Sequence, residues 1–372
     1  RKIRVLIVDD SALVRRILTD TLSGESDIEV VGTAPDPIIA IEKIANLRPD
    51  VLTLDVEMPR MDGLTFLKKL MREQPVPVIM ISSLARQSSQ VAVEALSEGA
   101  VEVIGKPDGP YSVGDFRFSL AQKVRGAANA RVRRRMMTAP GAIPISRPPA
   151  PRAQQPVPTP IVAVAGPVKL VAIGASTGGT EAIERILRQI PAAFPPIVIV
   201  QHIPAGFSRA FADRLNQFCA VRVREASDSD AVTPGVALVA PGNFHMRVSR
   251  SGGRGRVAVA DGPLVCYQRP AVDVMFDSIA EQGGAGVVAV LLTGMGSDGA
   301  LGMMRLKQAG ARTIAQDEQS CAVFGMPREA IRMGAADEVL PLDRIAGRLI
   351  ALASGERRNP VASTQALPVS CR

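Results

Sequence analysis

The chain has 372 residues, of which 47% are hydrophobic, 22% charged and only 3% aromatic, with no tryptophan and a formal net charge of +8. That length suits two domains, and the apolar share excludes a wholly disordered chain. Cores built from Val, Ile, Leu and Ala point to an α/β protein, and no apolar run reaches the 18 residues that would suggest insertion into a membrane.

The opening RKIRVLIVDD is basic and then apolar, but it turns acidic at once and has no small-residue cleavage site. It reads as a buried first strand ending at Asp9 and Asp10, not as a signal peptide. A helical pattern follows over Leu13–Leu22, a strand over Ile28–Thr33 and a helix over Pro37–Asn46. DVLTLDVEMP gives a strand ending at Asp55, then a helix over Gly63–Met71. Strands over Val76–Ser82 and Val101–Ile104 flank a helix over Ser89–Ser97. Five strands alternating with helices imply an N-terminal (βα)5 domain, with a parallel sheet covered on both faces.

In that topology Asp9, Asp10, Asp55, Ser82 and Lys106 all fall at the carboxyl ends of strands and share one crevice. Three carboxylates that close repel one another unless a cation joins them. Mg²⁺ prefers oxygen ligands and suits Asp10, Asp55 and the backbone carbonyl of Glu57, with Asp9 reached through water. Asp55 is then the candidate phosphoryl acceptor, with Lys106 and the Ser82 hydroxyl placed to neutralise the transferring oxygens. The Asp9–Asp10 pair, LDVEMPRMDG, the ISS segment and Lys106–Pro107, in this order, resemble the receiver domain of bacterial two-component response regulators. Many receivers carry an aromatic switch three residues before the lysine. Val103 stands there in this chain, which shifts the expected switching onto Ser82 and the 83–90 loop.

Between Phe116 and Pro167 there are nine Arg or Lys residues and no acidic one, so this stretch supplies +9 of the net +8 and the flanks together carry −1. The run centred on Arg131, Arg133, Arg134 and Arg135 could meet nucleic acid or an anionic membrane. No helix-turn-helix, zinc-finger or aromatic stacking signature accompanies it, so a solvated linker or a domain contact is preferred and no nucleic-acid partner is expected. Nine prolines between Pro140 and Pro167 favour an extended connection. The expected organisation is a first domain over 1–125, a basic, proline-rich linker over 126–167, a second domain over 168–352 and a flexible tail over 353–372.

The second domain opens with the strand KLVAIGAS, which runs into GASTGGTEAIERIL, with a helix starting near Thr180. Ser176 sits among Gly174, Gly178 and Gly179, where free N–H groups of a helix start can face developing negative charge. A glycine-rich turn also suits a dinucleotide, but GxGxxG and the later acidic residue are missing, as is the GK[ST] of a phosphate loop. His202 follows the strand IVIVQ, and Asp298 lies in the glycine-rich loop after VVAVLL. Strands of one parallel sheet would deliver all three to one edge, as nucleophile, base and orienter. His245, in APGNFHMRVS, is the rival base and reads as a turn residue that lines the substrate groove or caps a loop. The order Ser, His, Asp and the absence of GxSxG depart from the common α/β-hydrolase pattern. These residues indicate hydrolysis without revealing the ester.

The segments IGASTGGTEAI, QHIPAGFSRAFADRLN, VAPGNFHM, RPAVDVMFDSIA, LLTGMGSDGALGM and CAVFGMPREAI resemble the catalytic domain of the protein-glutamate methylesterases of bacterial chemotaxis. The resemblance implies a doubly wound, mostly parallel α/β catalytic domain without a cofactor. It implies Ser176 as nucleophile, His202 as base, Asp298 as orienter, and the backbone at Met295 with Thr177 at the oxyanion pocket. It further implies γ-glutamyl methyl esters of chemoreceptor helices as substrate, deamidation of receptor glutamines, and a chemotaxis histidine kinase as phosphodonor. The location implied is the cytoplasm, at receptor arrays, and the chain is expected to be mainly monomeric. A non-enzymatic, phosphorylation-dependent adaptor and a DNA-binding regulator are the competing classes. Cys219, Cys266, Cys321 and Cys371 form no CxxC pair and read as reduced thiols.

Overall fold

A computed structural model describes residues 1–83, 85–106, 113–130, 168–251 and 254–355. The first domain runs β1 (Ile3–Val8), α1 (Ala12–Ser23), β2 (Ile28–Ala34), α2 (Pro37–Leu47), β3 (Val51–Asp55), α3 (Gly63–Glu73), β4 (Val78–Ser82), α4 (Arg86–Ser97), β5 (Glu102–Gly105) and α5 (Val113–Ala128). Its five strands form one parallel sheet in the order β2-β1-β3-β4-β5. Every residue of β3 and β4 is buried, because helices cover both faces and a central strand has no wet side. Side-chain caps set the helix starts: Asp36 accepts from the N–H groups of Ile38 and Ile39, and Asp62 from that of Thr65. Helix α4 begins three residues before the expected Ser89, and α5 carries on to Ala128, past the expected boundary at 125.

The second domain runs β6 (Leu170–Ala175), α6 (Gly179–Leu187), β7 (Ile197–Gln201), α7 (Phe207–Phe218), β8 (Arg222–Glu225), β9 (Ala231–Val232), β10 (Val236–Val239), β11 (His245–Ser251) and β12 (Arg254–Ala260). It continues with α8 (Val272–Ala280), β13 (Val287–Leu291), α9 (Ala300–Gln308), β14 (Arg312–Gln316), α10 (Met326–Arg332), β15 (Glu338–Leu340) and α11 (Leu342–Ala353). Seven strands pair in the order β15-β14-β13-β6-β7-β10-β8, all in parallel, and β11-β12-β9 make a small antiparallel sheet beside them. The chain leaves β6 toward β7 on one side and returns to β13 on the other. The crevice past the carboxyl end of β6 is therefore the topological switch point.

The two domains pack on each other. Helix α4 lies against α7 and α6, and Ala92, Val93 and Leu96 belong to one buried apolar cluster with Ala182, Ala210 and Phe211. Among the described residues no helix is long and apolar enough to cross a membrane. The Arg131–Arg135 run, the proline-rich stretch, Pro107, Leu84 of the 83–90 loop, Cys371 and most of the expected tail lie outside the described residues.

Candidate active site

Strands β7, β6 and β13 are neighbours, and the three candidate catalytic residues leave their carboxyl ends. Ala175 pairs with Gln201, so Ser176 and His202 sit at equivalent positions one residue beyond adjacent strands, where parallel neighbours lie about 4.8 Å apart. The His202 N–H donates to the Ala175 carbonyl (3.0 Å), and Gln201 Nε2 donates to the Ser176 carbonyl (2.8 Å). Gly178, at φ 75°, turns the chain into α6 just after the serine. Gly294 passes so close that a Cβ there would lie 2.7 Å from Ser176 Cβ.

His202 and Asp298 are joined directly: Nε2 lies 2.7 Å from Asp298 Oδ2, with both side chains buried. The carboxylate is also gripped by the start of α8, where Val272 N–H donates to Oδ2 (2.7 Å) and Asp273 N–H to Oδ1 (2.9 Å). With Nε2 engaged, Nδ1 is the ring nitrogen available for proton exchange, and it is buried without a hydrogen-bond partner. No hydrogen bond joins Ser176 to His202 in this state, so the two must approach for proton transfer. The N–H groups of Thr177 and Met295, beside the serine, donate to no described group.

Thr177 and Met295 both face the first domain. Thr177 Oγ1 donates to Glu102 Oε2 on β5 (3.0 Å), and a Cβ at Gly126 of α5 would lie 3.3 Å from Met295 Sδ. Glu102 is itself held by the N–H of Val103 (3.1 Å) and by Lys123 Nζ (3.0 Å). The first domain thus sits over the edge that bears Ser176. His245 takes the loop-capping place: Nε2 lies 2.8 Å from the Pro263 carbonyl, and Nδ1 accepts from the Ala271 N–H (3.3 Å). Both ring nitrogens are used, which leaves none for a substrate.

Three residues of this site carry no sequence signal of their own. Glu102 becomes visible only once the domains dock. Thr293 donates its hydroxyl to the Thr177 carbonyl (2.9 Å). Asp273, inside the RPAVDVMF segment, accepts from the Gly302 N–H (2.7 Å) and is pushed up to about 6 by burial and by the charge of Asp298. Cys266 Sγ lies near both aspartates, and burial, reinforced by those carboxylates, pushes its thiol up to about 11.

At the corresponding edge of the first domain, carboxylate oxygens of Asp9, Asp10 and Asp55 lie within 4.8 Å of one another. Lys106 Nζ is 2.9 Å from Asp55 Oδ2 and 3.4 Å from Asp9 Oδ2, yet neither oxygen receives a well-directed hydrogen bond. Burial, with the neighbouring Asp9 charge, pushes Asp55 up to about 6 against the pull of Lys106, and burial likewise raises Asp9. A set of oxygen donors left short of partners in this way fits a hard divalent cation. The Ser82 hydroxyl is shared between the carbonyls of Ser83 and Ser88, both at 3.2 Å, and not with the acidic cluster. Glu57 accepts from the Ser88 hydroxyl. Val103 is fully buried in the apolar core.

A five-stranded domain with an acidic cluster at the carboxyl edge of its sheet, docked on a second parallel-sheet domain with a paired His and Asp beside a serine, defines the class: a response regulator joined to a hydrolase. Comparison with known proteins supplies the particular family. The CheB methylesterase model matches residues 171–349, and the response regulator receiver domain model matches residues 5–112. The chain is 52% identical over 352 residues to the protein-glutamate methylesterase/protein-glutamine glutaminase 2 of Syntrophus aciditrophicus, covering 94% of this chain and 98% of the relative. It is 49% identical over 356 residues to the protein-glutamate methylesterase/protein-glutamine glutaminase of Salmonella typhimurium, covering 94% and 97%. A solved CheB methylesterase catalytic domain from Thermotoga maritima is 41% identical and covers 50% of this chain and 98% of that one, at a TM-score of 0.49. The chain belongs to the CheB methylesterase family, with an N-terminal receiver domain.

Proposed function

We propose that this protein hydrolyses γ-methyl esters of glutamate on the cytoplasmic helices of chemoreceptors when its receiver is phosphorylated, and deamidates receptor glutamines at the same site, in chemotaxis adaptation. The observation that carries this reading is the buried His202–Asp298 pair, one strand from Ser176 at a shared sheet edge. Ser176 Oγ attacks the γ-carbonyl carbon while His202 Nδ1 takes the hydroxyl proton. Asp298 holds the ring and stabilises the imidazolium. The N–H groups at Thr177 and Met295 are placed to receive the oxyanion. His202 then gives its proton to the departing methoxide, and methanol leaves. Water, deprotonated by the same histidine, cleaves the acyl-serine to the free carboxylate. With a glutamine, the leaving group is ammonia.

In the receiver, Asp55 is the phosphoryl acceptor and Lys106 steadies the charge of the transferred group. A magnesium ion held by Asp10, Asp55 and the Glu57 carbonyl, with Asp9 through water, would neutralise the phosphoryl oxygens. The docked receiver keeps the resting enzyme closed, and nearly two added charges at Asp55 favour release, with Ser82 drawn toward the phosphoryl group. A receiver over 1–125, extended along α5, a basic linker, a catalytic domain over 168–352 and a tail make up the working chain. It is read as a cytoplasmic, mainly monomeric serine esterase that meets its substrate at receptor arrays and is phosphorylated by the chemotaxis histidine kinase.

Methylated receptor fragment, the full chain and a small phosphodonor test the reading. Methanol should appear, faster with phosphodonor. No methanol from either state would sink the esterase, and equal rates in both would sink the regulation.

A further inference from the structure

Two helix starts beside the catalytic edge exchange carboxylates. Helix α8 is preceded by Ala271 and helix α9 by Gly299, and neither residue has a side chain able to cap the free N–H groups of a first turn. Asp298, immediately before Gly299, fills that place on α8 by accepting from the N–H groups of Val272 and Asp273. Asp273, the second residue of α8, does the same for α9: its Oδ1 accepts from the Gly302 N–H (2.7 Å). The two helices meet closely at this point. A Cβ at Gly302 would lie 2.8 Å from Phe276 Cβ, and one at Gly299 would lie 2.7 Å from Val272 Cγ1. Asp298 is thus fixed by α8, and Asp273 fixes the start of α9 that follows Asp298.

Orienting His202 takes only one carboxylate. The second is buried as well, with an oxygen within 4.8 Å of one on Asp298. Like charges that close in a buried place oppose folding, and an asparagine would accept the same Gly302 N–H without that penalty. The groups facing Asp273 do not cancel its charge. Asp298 and, one turn along α8, Asp277 are both acidic. Cys266 Sγ, 3.9 Å from Asp273 Oδ2, is a neutral thiol at neutral pH. Arg305 of α9 supplies an opposing charge but is paired with Asp277. Burial and the charge of Asp298 push Asp273 up to about 6, so its charge is present at neutral pH and lost in mild acid.

We propose that Asp273 is a positioning residue for ester hydrolysis: its carboxylate closes the clasp that holds Asp298 on His202, and its negative charge, set behind Asp298, favours the imidazolium formed when Ser176 gives up its proton. The inference rests on the function proposed above. Asp273 acts through Asp298, whose Oδ2 is 2.7 Å from His202 Nε2. A charge held in a buried site is weakly screened, so it is felt across the intervening carboxylate. The same clasp steadies the loop that carries Met295, because that loop runs directly into Asp298 and α9.

Two variants of the full chain separate the clasp from the charge. Asp273→Ala removes both and should lower kcat for methanol release from a methylated receptor fragment at least about tenfold, with KM changed less than about threefold. Asp273→Asn keeps the acceptor for Gly302 and removes the charge, so it should recover part of that loss. The charge is read without turnover. The chain has two histidines, so ¹³C-labelled histidine gives two ring signals, and a His202→Gln chain identifies which one belongs to His202. In Asp273→Asn the His202 signal should titrate at a pH lower than in the parent by at least about half a unit. A merely structural aspartate would not move that titration. An unchanged His202 titration in Asp273→Asn overturns the proposal, as does a kcat for Asp273→Ala within threefold of the parent. If Asp273→Ala does not fold, judged by its thermal unfolding, the titration of Asp273→Asn decides alone. Failure of the esterase reading would show separately, as an absence of methanol from the parent enzyme.

Discussion

The contact between Glu102 and Thr177 gives the sharpest test of how the receiver restrains the enzyme. Glu102 Oε2 accepts the Thr177 hydroxyl across the domain boundary, in a buried setting, one residue from the nucleophile. A hydrogen bond to a charged acceptor contributes about 1.5–3 kcal/mol, and truncation also leaves the hydroxyl unpaired while the domains stay docked. In the open state both groups meet water, so the loss falls on the closed state alone. Glu102→Ala should therefore shift the closed–open balance roughly 10- to 150-fold toward open. Basal methanol release from the unphosphorylated full chain should rise by at least several-fold, and the stimulation by a phosphodonor should shrink in proportion. Continued phosphorylation of Asp55 would show that the receiver remains folded. A basal rate within twofold of the parent, with full stimulation retained, would refute the reasoning.

Ser176→Ala should lower turnover by at least about a thousandfold with an unchanged thermal unfolding midpoint, since a nucleophile is lost and no core atom is disturbed. Asp298→Asn should cost about 10⁴ in kcat, by analogy with triads that lose their carboxylate, and should also reduce stability measured in denaturant, because an amide cannot accept from both Val272 and Asp273 N–H groups while holding His202. The raised Asp55 and Asp9 predict a pH effect with a definite sign. Between 3.8 and the value of about 6 reached by Asp55, the folded chain binds more protons than the unfolded one, so stability falls as pH rises through that window, and the raised Asp9 acts in the same direction. Asp55→Asn should remove part of that fall, at most about 3 kcal/mol for a two-unit shift, and abolish stimulation by phosphodonor. Denaturation midpoints at pH 4.5 and 7.5 with the same slope in both proteins would contradict this. Mg²⁺ should raise the parent's midpoint at pH 7.5 more than at pH 5, because protons compete for the same oxygens.

Much of the molecule is legible in its sequence. The two larger sheets are parallel with buried central strands, which stand out as apolar runs such as VLTL and IVIV, each closed by a polar residue that marks the carboxyl end. That regularity placed Asp9, Asp55, Ser82 and Lys106 at one edge and Ser176, His202 and Asp298 at another. Helix boundaries are less legible: α4 begins at Arg86, three residues before the expected Ser89.

What the chain order alone dictated, then, was which chemical groups stand at strand ends, because strand period and turn chemistry are local. Tertiary structure decided which of them touch. The order β7-β6-β13 makes neighbours of residues far apart in the chain, and it commits His202 Nε2 to Asp298 while the serine still stands apart. Docking of the receiver brings Glu102 to Thr177. Loop lacing spends both nitrogens of His245 away from the substrate. Such pairings depend on the balance of burial and hydrogen bonding over whole surfaces, and no short stretch of sequence carries that information.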